Sequence, residues 1–179
     1  MPSTHTGISA AIELAPLEMK HAAAMYKWML DPSVSDNIGL RSVPSLSRTE
    51  EWLRRATSGN AFLPLAIYWS GRHVGNVILD LIEPGGASAR LSIYIGEADA
   101  RGHGVGINAI ESALRRAFSD SRFELIWLTV HLANTRALRL YRKIGFLITQ
   151  ELAGDGPPSY RMELSRAAWE AKATEGGQR

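Results

Sequence analysis

The chain has 179 residues, a formal net charge of +2 from 20 Lys and Arg against 18 Asp and Glu, and no cysteine. That length suits one domain with its own core, and the absence of cysteine excludes disulfides, thiolate zinc sites and a cysteine nucleophile. Both signs of charge interleave, as in "SRTEEWLRR", so the one-signed stripe of a nucleic-acid footprint is missing. The opening "MPSTHTGISA" lacks the basic start and apolar stretch of a signal peptide, and no run approaches the roughly 20 apolar residues of a membrane span. A cytoplasmic protein with no membrane and no nucleic-acid partner is the expectation.

In chain order, "ISAAIELAPL" (8–17) reads as a strand, and a helix starting near Pro16 places Met19, Ala23, Tyr26 and Leu30 at helical spacing. Asp31-Pro32 ends it. In "SRTEEWLRRATSG", Ser47 with Glu50 three places on forms a capping box for a short charged helix. From Ala61 the period changes to that of strands. "AFLPLAIYW", "HVGNVILDLI" and "ARLSIYIG", separated by "SGR" and "EPGGAS", predict an antiparallel meander.

"RGHGVG" (101–106) joins the meander to a helix with Ile107, Ile110, Leu114 and Phe118 on its apolar face and Glu111 and Arg115 as an i, i+4 pair. "ELIWLTVHL" is a buried strand. "NTRALRLYRKIGF" is a helix over 134–144 that Gly145 ends, and "FLITQEL" and "SYRMELS" are two further strands. Residues 1–7 and 172–179 are expected to be flexible tails of a single domain spanning 1–179.

A helix that begins near Gly104 exposes partnerless N–H groups and the positive end of its dipole, which suits an anion. Glycines at 102, 104 and 106 clear side chains from that approach, and Arg101 adds a cation. The same glycines also suit a turn with no ligand. Two phosphate loops are excluded by name: no Gly-Lys-Ser/Thr triplet occurs, and Ile107 stands where a dinucleotide loop needs its third glycine.

"RGHGVG" resembles the Arg/Gln-x-x-Gly-x-Gly/Ala loop of the GCN5-related N-acetyltransferases (GNAT), and "NTRALRLYRKIGF" resembles their second signature. The resemblance is strong over roughly 61–164 and extends through the order of elements to most of the chain. It implies an α+β fold: a mixed central sheet with an antiparallel meander and splayed parallel strands, and helices on both faces. It implies acetyl-CoA as co-substrate, with no metal. The implied coenzyme contacts are Ile93, Tyr94 and Ile95 on the strand, Arg101, Gly102, His103, Gly104, Val105 and Gly106 in the loop, and Asn134, Arg136, Ala137, Tyr141 and Lys143 beyond.

Acetyl transfer to an amine needs an uncharged nucleophile and a proton for the departing thiolate, and without cysteine direct attack in a ternary complex is expected. Tyr141 matches the tyrosine that protonates the coenzyme sulfur, although its spacing with Ala137 and Ile144 also suits a core residue. Thr129 stands where relatives that acetylate protein N-termini carry a glutamate. His131, two residues on, projects to the same side and is the candidate base; a structural histidine is the alternative.

Glu83 and Glu97, with Asp80 and Asp99 near them, are candidates to draw in an amine, and carboxylates at strand ends are also commonly just solvated. Trp28 is either core or part of the acceptor region. The resemblance points to a small-molecule amine acceptor, an amino sugar or sugar nucleotide, in a monomer or homodimer. A protein N-terminal acetyltransferase of the ribosomal type and a non-catalytic acyl-CoA-binding module are the alternatives.

Overall fold

The computed structural model describes residues 11–36, 38, 40, 42–59, 62–81, 86–154 and 156–176. Its seven-stranded sheet has the order β1-β2-β3-β4-β5-β7-β6. Strand β1 (Ile12–Pro16) leads into the meander of β2 (Phe62–Trp69), β3 (Arg72–Asp80) and β4 (Ser88–Ile95). The β2–β3 connection is the two-residue Ser70-Gly71, both at positive φ, which matches the twist of a tight hairpin. Strand β5 (Leu125–His131) runs parallel to β4, and β7 (Ser159–Ser165) inserts antiparallel between β5 and β6 (Leu147–Leu152). The fold is thus α+β, with a parallel pair at its centre.

Helices cover both faces. On one lie α1 (Ala22–Met29), α2 (Pro32–Ser35) and α3 (Leu46–Thr57), packed through Met25, Trp28, Val34 and Leu53 onto Ala66. On the other, α4 (Val105–Phe118) and α5 (Thr135–Ile144) pack Ile110, Leu114, Leu138 and Ile144 against Leu91, Ile126, Leu128 and Met162. Each such fully buried aliphatic side chain contributes about 1.5–3 kcal/mol.

Several local expectations are corrected. A 3-10 turn (Met19–His21) precedes α1, and this rotates the helix so that Ala22, Met25 and Trp28 face inward while Met19 and Leu30 are exposed. The cap of α3 is Ser45, whose hydroxyl accepts from the Arg48 amide at 3.3 Å; Ser47 already lies within the helix. Arg115 donates to Ser112 instead of pairing with Glu111. Residues 172–176, expected to belong to a flexible tail, complete α6 (Arg166–Gly176). Lys172 there donates to the carbonyls of Lys143 and Ile144, two acceptors that the end of α5 leaves without helical partners.

Candidate functional site

The central parallel pair is short. β4 and β5 are in register only over Ser88–Arg90 and Leu125–Trp127. Beyond Arg90, β4 stays with β3 as far as Ile95 and β5 stays with β7 as far as His131. Each strand follows its outer neighbour, so the two part. Gly96 donates to Val74 at 2.8 Å, and the alternation of an antiparallel ladder then turns the backbone groups of Ile93 toward the gap. A cavity of about 570 Å³ fills the opening, lined by Ile93, Tyr94 and Ile95, the loop glycines 102, 104 and 106, Val105, and residues of β5 and α5.

The loop leaves its backbone uncovered. Gly102 and Gly104 hold φ of 89° and 78°, the left-handed region that favours glycine. Gly104 is the cap of α4 and offers no side chain, so the first amides of the helix have no capping partner among the described residues. A Cβ at Gly102 or Gly106 would meet nothing within 4 Å. The macrodipole of this 14-residue helix adds partial positive charge at the same place.

Two loop residues differ from expectation. The Arg101 guanidinium is committed to the protein: Nε donates to the Ile95 carbonyl at 3.0 Å, Nη2 to the Gly96 carbonyl at 3.0 Å and Nη1 to the Ser33 hydroxyl at 2.9 Å, with Asp31 at 3.5 Å. It braces the loop against the end of β4 and consumes the Ile95 carbonyl, leaving Ile93 as the strand residue with both backbone groups open. His103 stacks on Trp69 at 5.2 Å and does not line the cavity.

On the far side of the gap, Ile126, Leu128 and Val130 are buried toward α4 and α5, so Thr129 and His131 project to the face that carries α1 to α3. Both line the cavity. Asn134 caps α5 by accepting from the Ala137 amide at 3.1 Å, and Gly145 at φ 119° ends it. This short helix brings Asn134, Arg136, Ala137, Leu140 and Tyr141 to the cavity wall, whereas Lys143 turns away. The Tyr141 ring leans edge-on against Phe146 at 5.8 Å, and none of the described hydrogen bonds involves its hydroxyl. Burial pushes its pKa up to about 12. Tyr141 and His131 therefore approach one opening from opposite faces of the sheet.

The acceptor-side expectations fare differently. Trp28 is 3 % exposed and donates from Nε1 to Glu97 at 2.8 Å, so neither lines the cavity. They hold the bend at the end of β4, where Gly96 lies so close under the indole that an added Cβ would sit 2.0 Å from Cδ2. Asp99 pairs with Arg72 at 2.6 Å, and Asp80 with Arg90 at 2.7 Å. Glu83 lies outside the described residues. A second cavity of about 300 Å³ meets the first at Ile38, Arg90, Ser92 and Tyr94 and has Met25, Met29 and Trp52 in its wall. Tyr94 accepts from Asn76 at 2.6 Å, and burial raises its pKa far above the ordinary tyrosine value.

Arg90, Ser92 and Ser159 line the main cavity without having been singled out from sequence. Arg90 had a usable signal: it faces Asp80 across the β3–β4 hairpin, a cross-strand charge pair. Ser159 had none, because its place opposite His131 depends on a register between strands separated by a whole helix and strand. Among the described residues, no group of His, Asp and Glu is suited to hold a metal ion, and no helix is long and apolar enough to cross a membrane.

Residues 11–147 match the model of a family described as an acetyltransferase (GNAT) domain. Among solved structures, the aminoglycoside acetyltransferase AAC(6')-Ib with coenzyme A is similar at a TM-score of 0.79 and 18% identity, covering 91% of this chain and 99% of that one. The same enzyme with coenzyme A and kanamycin matches equally well, at a TM-score of 0.79. Spermidine N-acetyltransferase from Vibrio cholerae, in complex with CoA and spermine, is similar at a TM-score of 0.79 and 21% identity, covering 89% of this chain and 98% of that one.

Proposed function

The chain belongs to the acetyltransferase (GNAT) domain family, and on that premise we propose that it transfers acetyl from acetyl-CoA to a primary amine of a small molecule. One observation carries the reading: amides at the mouth of α4 with no capping partner among the described residues and a strand with open backbone groups converge on a single cleft. A pantetheine diphosphate has this shape and chemistry. Its anionic end suits the amides of Val105 and Gly106, the latter carrying no Cβ, and its amide-bearing arm suits the N–H and C=O of Ile93. Acetyl-CoA, when bound, would supply an acetyl thioester, a good acyl donor whose leaving group is the coenzyme A thiolate.

The chain's own residues account for the proton traffic. The amine nitrogen bonds to the acetyl carbon and the carbon–sulfur bond breaks. His131 takes the proton from nitrogen, directly or through one water, and Tyr141 gives its proton to the thiolate. A tyrosine held protonated by burial is an acid at every physiological pH. Holding amine and thioester in one cleft replaces an encounter in solution with a positioned reaction.

The acceptor reading is a small polar amine, with an amino sugar or sugar nucleotide as the first choice. Aminoglycoside and spermidine acetyltransferases of the same fold support a small-molecule acceptor. The test is thiol release from acetyl-CoA with aminoglycosides, amino-sugar nucleotides, polyamines and peptides bearing free N-termini. Turnover with one of the small amines is expected. Turnover with peptides alone would identify a protein N-terminal enzyme, and coenzyme binding without thiol release across the whole panel would identify a sensing module.

A further inference from the structure

We infer that Ser159 is a positioning residue for catalysis, which fixes the tautomer of His131 so that Nε2 presents a lone pair to the amine. The inference rests on the proposed role of His131 as base. β5 and β7 bring the two residues directly opposite one another, with His131 Nδ1 2.9 Å from the Ser159 hydroxyl. That hydroxyl has a single proton, and it lies 2.9 Å from the carbonyl of Pro157, a group that only accepts. The proton therefore goes to Pro157, the serine oxygen is left as an acceptor, and Nδ1 must carry the hydrogen. In a neutral imidazole the protonation of one nitrogen leaves the other as the base. No described hydrogen bond occupies Nε2, and both His131 and Ser159 line the cleft.

The other described histidines are arranged differently. His21 accepts at Nδ1 from the Glu18 amide and has Nε2 on the Tyr68 hydroxyl; His73 has Nε2 on Asn76; His103 lies on Trp69 outside the cavity. His131 alone among them combines a ring nitrogen in the cleft with a partner that dictates its tautomer. Ser159 is 9 % exposed, and Leu132 ties to Pro158 at 3.0 Å, so the relay from Pro157 to His131 is held by the strands themselves.

The test compares Ser159→Ala, Ser159→Thr, His131→Gln and the double variant Ser159→Ala/His131→Gln in the full chain. Readouts are turnover, coenzyme affinity and the ring 15N shifts of His131. Loss of the acceptor at Nδ1 should move the hydrogen toward Nε2, lower kcat about tenfold, as expected for one hydrogen bond, and leave coenzyme affinity unchanged. Ser159→Thr, which keeps the hydroxyl, should restore both the shifts and kcat, and the double variant should be no slower than His131→Gln. If His131→Gln slows turnover while Ser159→Ala changes neither kcat nor the ring shifts, the positioning role is wrong and the base assignment stands. Unaltered turnover in His131→Gln would remove both.

Discussion

Replacing Gly106 by valine separates a ligand cradle from an ordinary glycine turn. Gly106 is the second residue of α4 and does not adopt positive φ, so a side chain there brings no backbone strain. A Cβ built on it meets no atom within 4 Å, and the residue lines the cavity. Without ligand the variant should therefore fold as the parent does, and a valine in a helix is better than glycine by about 0.3–0.5 kcal/mol, a small gain. With coenzyme A the same three carbons stand in the proposed diphosphate site. Loss of one charge-assisted contact, about 1.5–3 kcal/mol, corresponds to roughly a 10- to 100-fold weaker Kd. Calorimetric titration with coenzyme A, paired with thermal unfolding of the free protein, reads both quantities. An unchanged Kd would refute the placement of the diphosphate at this loop, and a collapse of the free protein's Tm would refute the claim that Gly106 faces open space.

Tyr141→Phe should lower kcat by about 100-fold, the lower end of the range for general acid catalysis, with coenzyme Kd unchanged; equal loss in both would make the ring a packing element instead. Because burial raises the tyrosine pKa to about 12, wild-type turnover should show no alkaline loss from this group below about pH 11, while folding stability should be full below about pH 10, where the unfolded tyrosine begins to ionise, and decline as pH rises from there through the folded pKa. Gly96→Ala has no room for its methyl under Trp28 and should destabilise the fold by about 1–3 kcal/mol or more, visible as a lower urea midpoint. Buried His21 and half-buried His73, with ring centroids 4.6 Å apart, have pKa values depressed first by desolvation. Their neutral forms are favoured by folding, so stability should be full above about pH 6.5 and fall as pH drops. His73→Asn should flatten that acid slope, and an unaltered slope would place its origin elsewhere.

Much of this was legible in local chemistry. The meander announced itself through β-branched runs between turn residues, and the ends of α5 through Asn134 and Gly145, each a group that satisfies backbone donors or acceptors within one turn. Gly104 was readable for the same reason, since a left-handed residue at a helix entry selects glycine. The face of α1 was not, because a 3-10 turn just ahead of it changes the helical phase by an amount that periodicity alone does not reveal.

Sequence by itself determined the meander, the glycine loop and the ends of α5, all of which depend on contacts among near neighbours; the candidate acid came from a family resemblance and the candidate base from strand alternation. Tertiary structure alone decided what the charged and aromatic residues are for. By its sequence Arg101 suits an anion, yet Asp31, Ser33 and the carbonyls of Ile95 and Gly96 surround it. Trp28 and Glu97 are 69 residues apart and become partners only when the sheet brings α1 beneath the end of β4. The same holds for Ser159 and His131, joined by a register that no local rule specifies. A long polar side chain takes whichever partner the fold delivers, and that choice is a property of three-dimensional proximity, not of spacing along the chain.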